Sequence, residues 1–168
     1  TSLQSAADSA KKVYGLSAIS LSVGLPAQKN IIDITSGTVT KNSTQKITAQ
    51  SLFQVGSITK SFTAAALLQL AAEQKINLND TLGKWLPQYP HWKNITVQQL
   101  LNQTSGIYDY DNLPNWWELL ATEQNKIWQP SELAALAYQH APYFTAGSSW
   151  HYSNTNYVLL SMIIEKIT

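Results

Sequence analysis

The sequence contains no cysteine and no arginine. Without cysteine, the chain cannot form a disulfide scaffold, use a thiolate nucleophile or bind a metal through sulfur ligands. All 11 basic residues are lysines, so the bidentate fork with which arginine binds carboxylates is missing. A carboxylate on a ligand would have to be bound by lysine, by hydroxyls, by backbone N–H groups or by residues outside this sequence.

Charge and long apolar runs are also scarce. Charged residues make up 12% of the chain and the formal net charge is +1, so there is no electrostatic basis for binding nucleic acid. No apolar stretch reaches the roughly 20 residues of a transmembrane helix, and no signal peptide is visible at the N-terminus. Hydrophobic residues nevertheless make up 44% of the chain, which is enough to form a buried core.

Residues 1–50 predict a helix followed by two strands. Residues 3–14 place apolar side chains along one side of a helix. Alternating apolar residues over 16–24 and 31–39 are typical of strands, with a turn signal at 26–30 between them. We therefore expect an antiparallel hairpin, the N-terminal part of an α/β region.

Residues 51–168 predict a mostly helical region, which gives the whole chain an α+β fold class. Thr96 and Gln99 have the spacing of a capping box, and Pro130 suits the first position of a helix. The predicted helices cover residues 57–74, 96–102, 116–123, 130–139 and 155–167. Because a two-stranded hairpin is marginal alone, we expect a C-terminal portion or a neighbouring chain to complete the sheet.

Ser57 and Lys60 form a Ser-x-x-Lys pattern at the start of a predicted helix. Positions three apart lie on one helix face, so the amine can reach the hydroxyl. Serine is a weak nucleophile that needs a neighbouring base or a stabilising cation, and a partly desolvated lysine can supply this. The Ser57 N–H, an unpaired donor of the first turn, can point at a developing oxyanion.

The spacing alone is not specific, because it recurs at Ser9 and at Ser43. These two serines lie in a predicted exposed helix and in a polar loop, respectively. Ser57 differs in context: it begins a long helix, and Gly56 before it permits close approach of the backbone.

Tyr152 and Asn154 form a second candidate pair, just before a predicted helix. The phenol could take and give the proton of a serine, and the amide could bind a substrate carbonyl or orient Lys60. The alternative is a helix cap, with Ser153 or Asn154 at the N-cap position. The spacing recurs at Tyr110 and Asn112, so this pair alone does not settle the question.

Together the segments resemble the serine beta-lactamase and D-alanyl-D-alanine carboxypeptidase family, in particular its class C beta-lactamase-like branch. The resemblance runs from about residue 14 to 168. Four landmarks carry it in order: Phe53-Gln54-Val55-Gly56-Ser57-Ile58-Thr59-Lys60, then Ile76-Asn77-Leu78-Asn79-Asp80 with Trp85-Leu86-Pro87, then Ile95 to Ile107, then Gly147 to Asn154 leading into Thr155-Asn156-Tyr157.

The resemblance implies a beta-lactamase/transpeptidase-like fold, here in truncated form. It implies an acyl-enzyme at Ser57, with Lys60 as the partner of that serine, Tyr152 as proton shuttle and Asn154 as a substrate-binding residue. No metal or other cofactor is expected. The substrate is expected to be a beta-lactam, a D-alanyl peptide or a small ester, and the location periplasmic or secreted.

The sequence departs from the family pattern at Gln103, where a histidine is usual, and in a third motif. That motif, Lys or His followed by any residue and then Gly on a late strand, does not occur in these residues. It carries a second oxyanion donor, and losing such a donor can cost ~10²–10³ in rate. We therefore expect the isolated 168-residue chain to be poorly active.

Aromatic residues are concentrated in the helical region, and Tyr108 and Trp150 are the best candidates for contacting a substrate because they adjoin the landmarks. The other interpretation of these aromatics is core packing. For the chain as a whole, an acyl-transferring hydrolase competes with a non-catalytic ligand-binding or sensor module and with a purely structural helical domain.

Overall fold

The computed structural model describes residues 2–26 and 30–168, so the turn predicted at 26–30 lies mostly outside the described residues. The chain forms two compact units, Thr1–Gln54 and Val55–Thr168. Among the described residues, no helix is long and apolar enough to cross a bilayer.

The first unit is a helix packed on a strand pair. Helix α1 (Ser2–Val13) precedes strands β1 (Ala18–Gly24) and β2 (Ile31–Gly37). The strands pair antiparallel, with Ala18 opposite Gly37 and Gly24 opposite Ile31, which confirms the predicted hairpin. Helix α1 is joined to β2 by a hydrogen bond, in which the Ser36 hydroxyl donates to the Asp8 carboxylate at 2.5 Å.

The second unit is mostly helical, and the ends of its five predicted helices lie within two residues of the observed ones. A 3₁₀ turn at Gly56–Ile58 leads into the first of them. The helices are α2 (Thr59–Ala72), α3 (Leu82–Trp85), α4 (Val97–Leu101), α5 (Trp116–Thr122), α6 (Pro130–Tyr138) and α7 (Asn154–Ile167). Two further 3₁₀ turns, at Pro90–Trp92 and Tyr110–Asn112, were not predicted.

Helix α7 forms the centre of this unit, because helices α2, α4 and α6 all pack against it. Leu159, Leu160 and Ile163 of α7 are fully buried. Leu67 of α2 and Leu100 of α4 are also fully buried, in the same hydrophobic cluster. The N-terminus of α7 and the start of α2 are therefore held by one core.

Two loops of the second unit are packed backbone to backbone at Gly106. Its φ is +74°, and a Cβ there would lie 2.1 Å from the carbonyl oxygen of Phe144. The Gly106 carbonyl accepts a hydrogen bond from the Tyr143 N–H at 2.8 Å. Only glycine fits this close approach, which fixes the loop that follows α4 next to the segment that leads into α7.

Candidate active site

Three segments of the second unit converge around Ser57: the start of α2, the loop after α4 and the N-terminus of α7. The Ser57 hydroxyl and the Tyr152 hydroxyl lie within hydrogen-bonding distance, 2.7 Å apart. The Lys60 amine donates to Ser57 Oγ at 3.1 Å and lies 4.9 Å from the centre of the Tyr152 ring. The hydroxyl, amine and phenol that the sequence singled out are thus brought together.

The position of Ser57 depends on the backbone of Gly56. Gly56 has a φ of +52°, a conformation that side-chain-bearing residues rarely adopt, but a Cβ at this position would meet no atom within 4 Å. The expected close backbone approach at Gly56 is therefore wrong within the described residues. The glycine is needed for its dihedral angle, which turns the chain into the 3₁₀ turn that carries Ser57.

The Ser57 side chain is exposed, while Lys60 is half-buried. Ser57 lies in the 3₁₀ turn that precedes α2. The first N–H groups of such a turn have no partner inside it. A carbonyl oxygen brought to Ser57 could therefore accept a hydrogen bond from the Ser57 N–H.

Asn154 is the first residue of α7, and its side chain makes a network rather than a helix cap. Its Oδ1 accepts a hydrogen bond from Lys60 Nζ at 2.7 Å, and its Nδ2 donates to Asp109 Oδ2 at 3.1 Å and to Asp111 Oδ2 at 3.3 Å. Ser153 holds the N-cap position but makes no capping hydrogen bond with its side chain. The capping alternative is therefore right about the position of Ser153, although the Ser153 side chain makes no capping hydrogen bond, and wrong for Asn154.

Asp109 is a buried carboxylate at this site that the sequence did not indicate. It is 4% exposed. Burial raises the pKa of this carboxyl, as does the negative charge of Asp111, and hydrogen bonds from backbone N–H groups offset only part of the effect. Burial together with the charges of Asp109 and Asp111 also raises the pKa of Tyr110, to about 12. The only sequence signal for Asp109 was its place two residues after the end of the third landmark.

Gln103, noted in the sequence only as a departure from the family pattern, is a second residue that shapes this site. It is buried and has a φ of +62°, which is unusual for a residue with a side chain. Its Oε1 accepts hydrogen bonds from the Ser153 N–H at 2.9 Å and from Asn156 Nδ2 at 2.6 Å, and its backbone carbonyl accepts one from the His151 N–H at 3.1 Å. Gln103 thus holds the chain on both sides of Tyr152.

Tyr108 and Trp150, the two predicted substrate contacts, differ in their surroundings. The Tyr108 ring stacks on His140 at 4.3 Å and on Tyr143 at 5.2 Å between centroids, and Tyr143 stacks on His151 at 3.9 Å. This stack ends one residue before Tyr152. Trp150 is 63% exposed. The roles of both residues in substrate binding stay predictions.

Other aromatic residues pack against one another, as the core-packing interpretation of the aromatic residues predicted. Trp116 is buried, and its ring contacts those of Tyr110 and Trp128, at 5.0 and 5.6 Å between centroids. In the described parts of the chain, no cluster of histidine and carboxylate side chains is arranged to bind a metal ion.

A cavity of about 240 Å³ opens beside Lys60. Its lining surface is mostly apolar, although five of the eight lining residues carry a hydroxyl group. The lining residues are Thr59, Lys60, Thr63, Tyr110, Asn154, Tyr157, Val158 and Ser161. The cavity thus gives access to Lys60 from a side that Ser57 does not line.

Solved structures establish the class of fold. A D-stereospecific amidohydrolase from Streptomyces sp. matches 99% of this chain with a TM-score of 0.83 and 37% identity. The D-amino acid amidase from Ochrobactrum anthropi SV3 matches 98% with a TM-score of 0.81 and 28% identity. The described residues thus have the α+β, beta-lactamase/transpeptidase-like fold that the sequence predicted, in truncated form.

The chain belongs to the Beta-lactamase family, whose family model matches residues 18–168. Penicillin-binding protein 4* of Bacillus subtilis (strain 168) is 35% identical over 118 residues, which are 69% of this chain and 25% of that protein. The chain covers 49% and 44% of the two solved structures. It therefore spans about a quarter of that curated relative and under half of these structures.

Proposed function

We propose that the protein is a serine hydrolase that forms an acyl-enzyme at Ser57. The observation that carries the proposal is the convergence on Ser57 Oγ of the Tyr152 hydroxyl at 2.7 Å and the Lys60 amine at 3.1 Å. A serine with a proton acceptor and a cation in hydrogen-bonding reach has what nucleophilic catalysis requires. Membership of the Beta-lactamase family supports the same chemistry.

The proposed reaction has two balanced halves. Ser57 Oγ attacks the substrate carbonyl, the bond to the leaving group breaks, and the serine proton passes to Tyr152 as the phenol gives its own proton to the leaving atom. Water then attacks the ester and gives a proton to the phenol oxygen, the bond between the acyl carbon and Ser57 Oγ breaks, and the phenol returns its proton to Ser57 as the acid leaves. The Lys60 amine stabilises the negative charge that develops on the serine oxygen, and the Ser57 N–H is one donor to the oxyanion.

We propose amides or peptides with a D-configured acyl group as the substrate class. A D-stereospecific amidohydrolase and a D-amino acid amidase are similar to 98–99% of this chain, and a penicillin-binding protein is similar to 69% of it. A penicillin then serves as an acylating probe, with beta-lactams and small esters as the other substrates to compare. Action outside the cytoplasm, on cell-wall material, is part of the proposal.

Labelling with a fluorescent penicillin tests the proposal on the 168-residue chain. We expect a mass increase on the peptide that contains Ser57, and no labelling of Ser57→Ala. Tyr152→Phe keeps the ring beside Lys60 but removes the hydroxyl, so the acylation rate should fall by roughly 10²–10⁴. Ser9→Ala, which removes the serine of a recurring Ser-x-x-Lys pattern in α1, is the matched control and should label like the parent.

Substrate preference is measured with D- and L-phenylalanine amides under the same conditions. Ammonia release from the D-amide, lost in Ser57→Ala, would support the D-acyl class. Unlabelled protein that still binds penicillin reversibly, with equal affinity in Ser57→Ala, would overturn the hydrolase and favour a ligand-binding module. Ester cleavage without labelling or amide cleavage would replace the D-acyl class with small esters.

A further inference from the structure

Two carboxylates contact the nitrogen end of the Asn154 amide, while Lys60 contacts its oxygen end. Asp109 Oδ2 and Asp111 Oδ2 lie 3.1 and 3.3 Å from Asn154 Nδ2. Lys60 Nζ lies 2.7 Å from Asn154 Oδ1. An ammonium can only donate hydrogen bonds and an ionised carboxylate can only accept them. The charged neighbours therefore permit one orientation of the amide.

Reversing the amide would place like groups against each other at both ends. The nitrogen would then face Lys60 Nζ, donor against donor, and the oxygen would face Asp109, acceptor against acceptor. Lys60 would lose the shorter of its two hydrogen bonds and keep the one to Ser57 Oγ, and the amide would lose its donor contacts. Hydrogen bonds that involve charged groups are stronger than neutral ones, so the carboxylates select the orientation that serves Lys60.

Asp109 is itself held firmly enough to do this. Its Oδ1 accepts hydrogen bonds from the Asn154 N–H at 3.0 Å and the Asp111 N–H at 3.3 Å, and its own N–H donates to the Tyr143 hydroxyl at 3.2 Å. It lies at the N-terminus of α7, where the helix dipole favours a negative charge. Asp111 is less buried than Asp109 and makes the longer contact, so Asp109 is the main support.

We propose that Asp109 is a positioning residue for the reaction at Ser57. It orients the Asn154 amide so that the amide oxygen faces Lys60, and this contact holds the amine beside the serine. The inference rests on the proposed function, because it assigns Asp109 a part in acylation. It is separate from the catalytic residues themselves, since Asp109 acts only through Asn154.

Asp109→Asn is the sharpest test, because it keeps the shape and changes one acceptor into a donor. If the oxygen of the introduced amide accepts from the backbone N–H groups, the nitrogen of that amide faces the Asn154 nitrogen and drives the Asn154 amide to reverse. We expect the acylation rate at saturating penicillin to fall roughly 10–100-fold. The penicillin concentration for half-maximal rate should change much less, because the amide contact with Lys60 is altered and the cleft is not.

Asp80→Asn is the matched control. Asp80 is also a carboxylate that accepts from a backbone N–H and a lysine, since its Oδ2 lies 3.1 Å from the Asn77 N–H and 2.8 Å from Lys84 Nζ. Its partners lie outside the site, so acylation by Asp80→Asn should match the parent. A merely structural role for Asp109 would make the two variants alike.

A reciprocal exchange adds a rescue. Asn154→Asp alone places a second carboxylate against that of Asp109. Among Asn154→Asp, Asp109→Asn and the double variant, it should have the lowest acylation rate. Adding Asp109→Asn supplies a donor to that carboxylate, which can still accept from Lys60, so the double variant should be faster than Asn154→Asp. Such non-additivity is expected only for groups in direct contact. A double variant slower than Asn154→Asp would overturn the inference.

The side-chain amide signals of Asn154 in ¹⁵N NMR spectra give a readout that needs no turnover. They are assigned by their loss in Asn154→Asp. We expect a large change in the Asn154 amide signals in Asp109→Asn and none in Asp80→Asn. Because the isolated chain is expected to acylate slowly, parent protein that stays unlabelled after prolonged incubation would end the proposed function, while the NMR result would still decide the orientation. Normal labelling of Asp109→Asn would overturn the positioning role and leave the proposed function standing.

Discussion

Gln103 shows how a single side chain can hold the residues around Ser57, the proposed nucleophile, without contacting it. Its Oε1 satisfies the Ser153 N–H and Asn156 Nδ2, in residues that are both fully buried. Tyr152 precedes these residues directly, and its hydroxyl is positioned by the backbone that Gln103 fixes. Gln103 thus serves as an acceptor for the α7 N-terminus, at the position where the resemblance had implied a histidine.

Gln103→Ala is predicted to destabilise the second unit and slow acylation together. Each buried donor left without a partner costs about 1–3 kcal/mol. Gln103→Gly loses the same hydrogen bonds but relieves the left-handed backbone, so it should be more stable than Gln103→Ala by about 1 kcal/mol. Urea unfolding followed by circular dichroism measures both. Equal stability of the parent and Gln103→Ala would show that the two donors find other partners.

The sequence predicted those residues of the site that short spacings along the chain bring together. Ser57, in the 3₁₀ turn, and Lys60, at the start of α2, are three apart in sequence, so the local helical backbone brings them together. Asp109 joins Asn154 from 45 residues away, and no periodicity encodes that contact. Gln103 was noted only as a departure from the family pattern, and its hydrogen bonds to residues 50 and 53 positions later are not encoded by local spacing.

At the scale of elements, Gly56 and Gly106 have positive φ for different physical reasons. A Cβ on Gly56 meets no atom within 4 Å, whereas one on Gly106 would lie 2.1 Å from the Phe144 carbonyl oxygen. Gly56→Ala is therefore predicted to cost about 1–2 kcal/mol through its backbone angle alone. Gly106→Ala must also separate two packed loops.

We expect Gly106→Ala to lower the free energy of unfolding more than Gly56→Ala does. Gly56→Ala should affect penicillin labelling more than its stability loss implies, because the turn it alters carries Ser57. Paired urea melts and labelling rates measure both effects. A Gly56→Ala protein that is the less stable of the two would contradict the assignment of backbone strain to one site and a clash to the other.

Helix positions were predicted well because their signals are local. The capping box at Thr96 and Gln99 is present with both hydrogen bonds, and Pro130 begins α6. At the N-terminus of α7, the N-cap position of Ser153 was one of the alternatives, but the acceptor there is not local: the Asn154 N–H is satisfied by Asp109. A sequence window shows the residues next to a helix end, and here the acceptor comes from another loop.

At the scale of the molecule, the sequence predicted the fold class through the order of its elements and through the resemblance. The strand pair and the helical region follow from two different periodicities. Which face of each helix is buried follows less directly from the sequence. Helix α7 is central because three other helices pack on it, which depends on packing across the whole second unit and not on the α7 sequence alone.

Asp109 and Asp80 change the pH dependence of stability in opposite directions. Burial and the charge of Asp111 raise the pKa of Asp109. Burial also opposes ionisation of Asp80, but hydrogen bonds from Lys84 and the Asn77 N–H outweigh it and lower the pKa of Asp80. Asp109 therefore adds stability below the ordinary aspartate pKa of about 4 and loses it as the pH rises through its higher folded value. Asp80 adds stability above about pH 4 and loses it as the pH falls through its lower folded value.

Thermal unfolding of the parent, Asp109→Asn and Asp80→Asn between about pH 7 and 3 tests these signs. The Tm of the parent minus that of Asp109→Asn should increase as the pH falls from about 7 towards 4, because only the parent gains a proton on folding at that position. The difference between the parent and Asp80→Asn should instead shrink, and mainly below about pH 5. A parent advantage over Asp109→Asn that shrinks with acidification would mean that folding favours the ionised form of Asp109, so that its hydrogen bonds to Asn154 outweigh its burial.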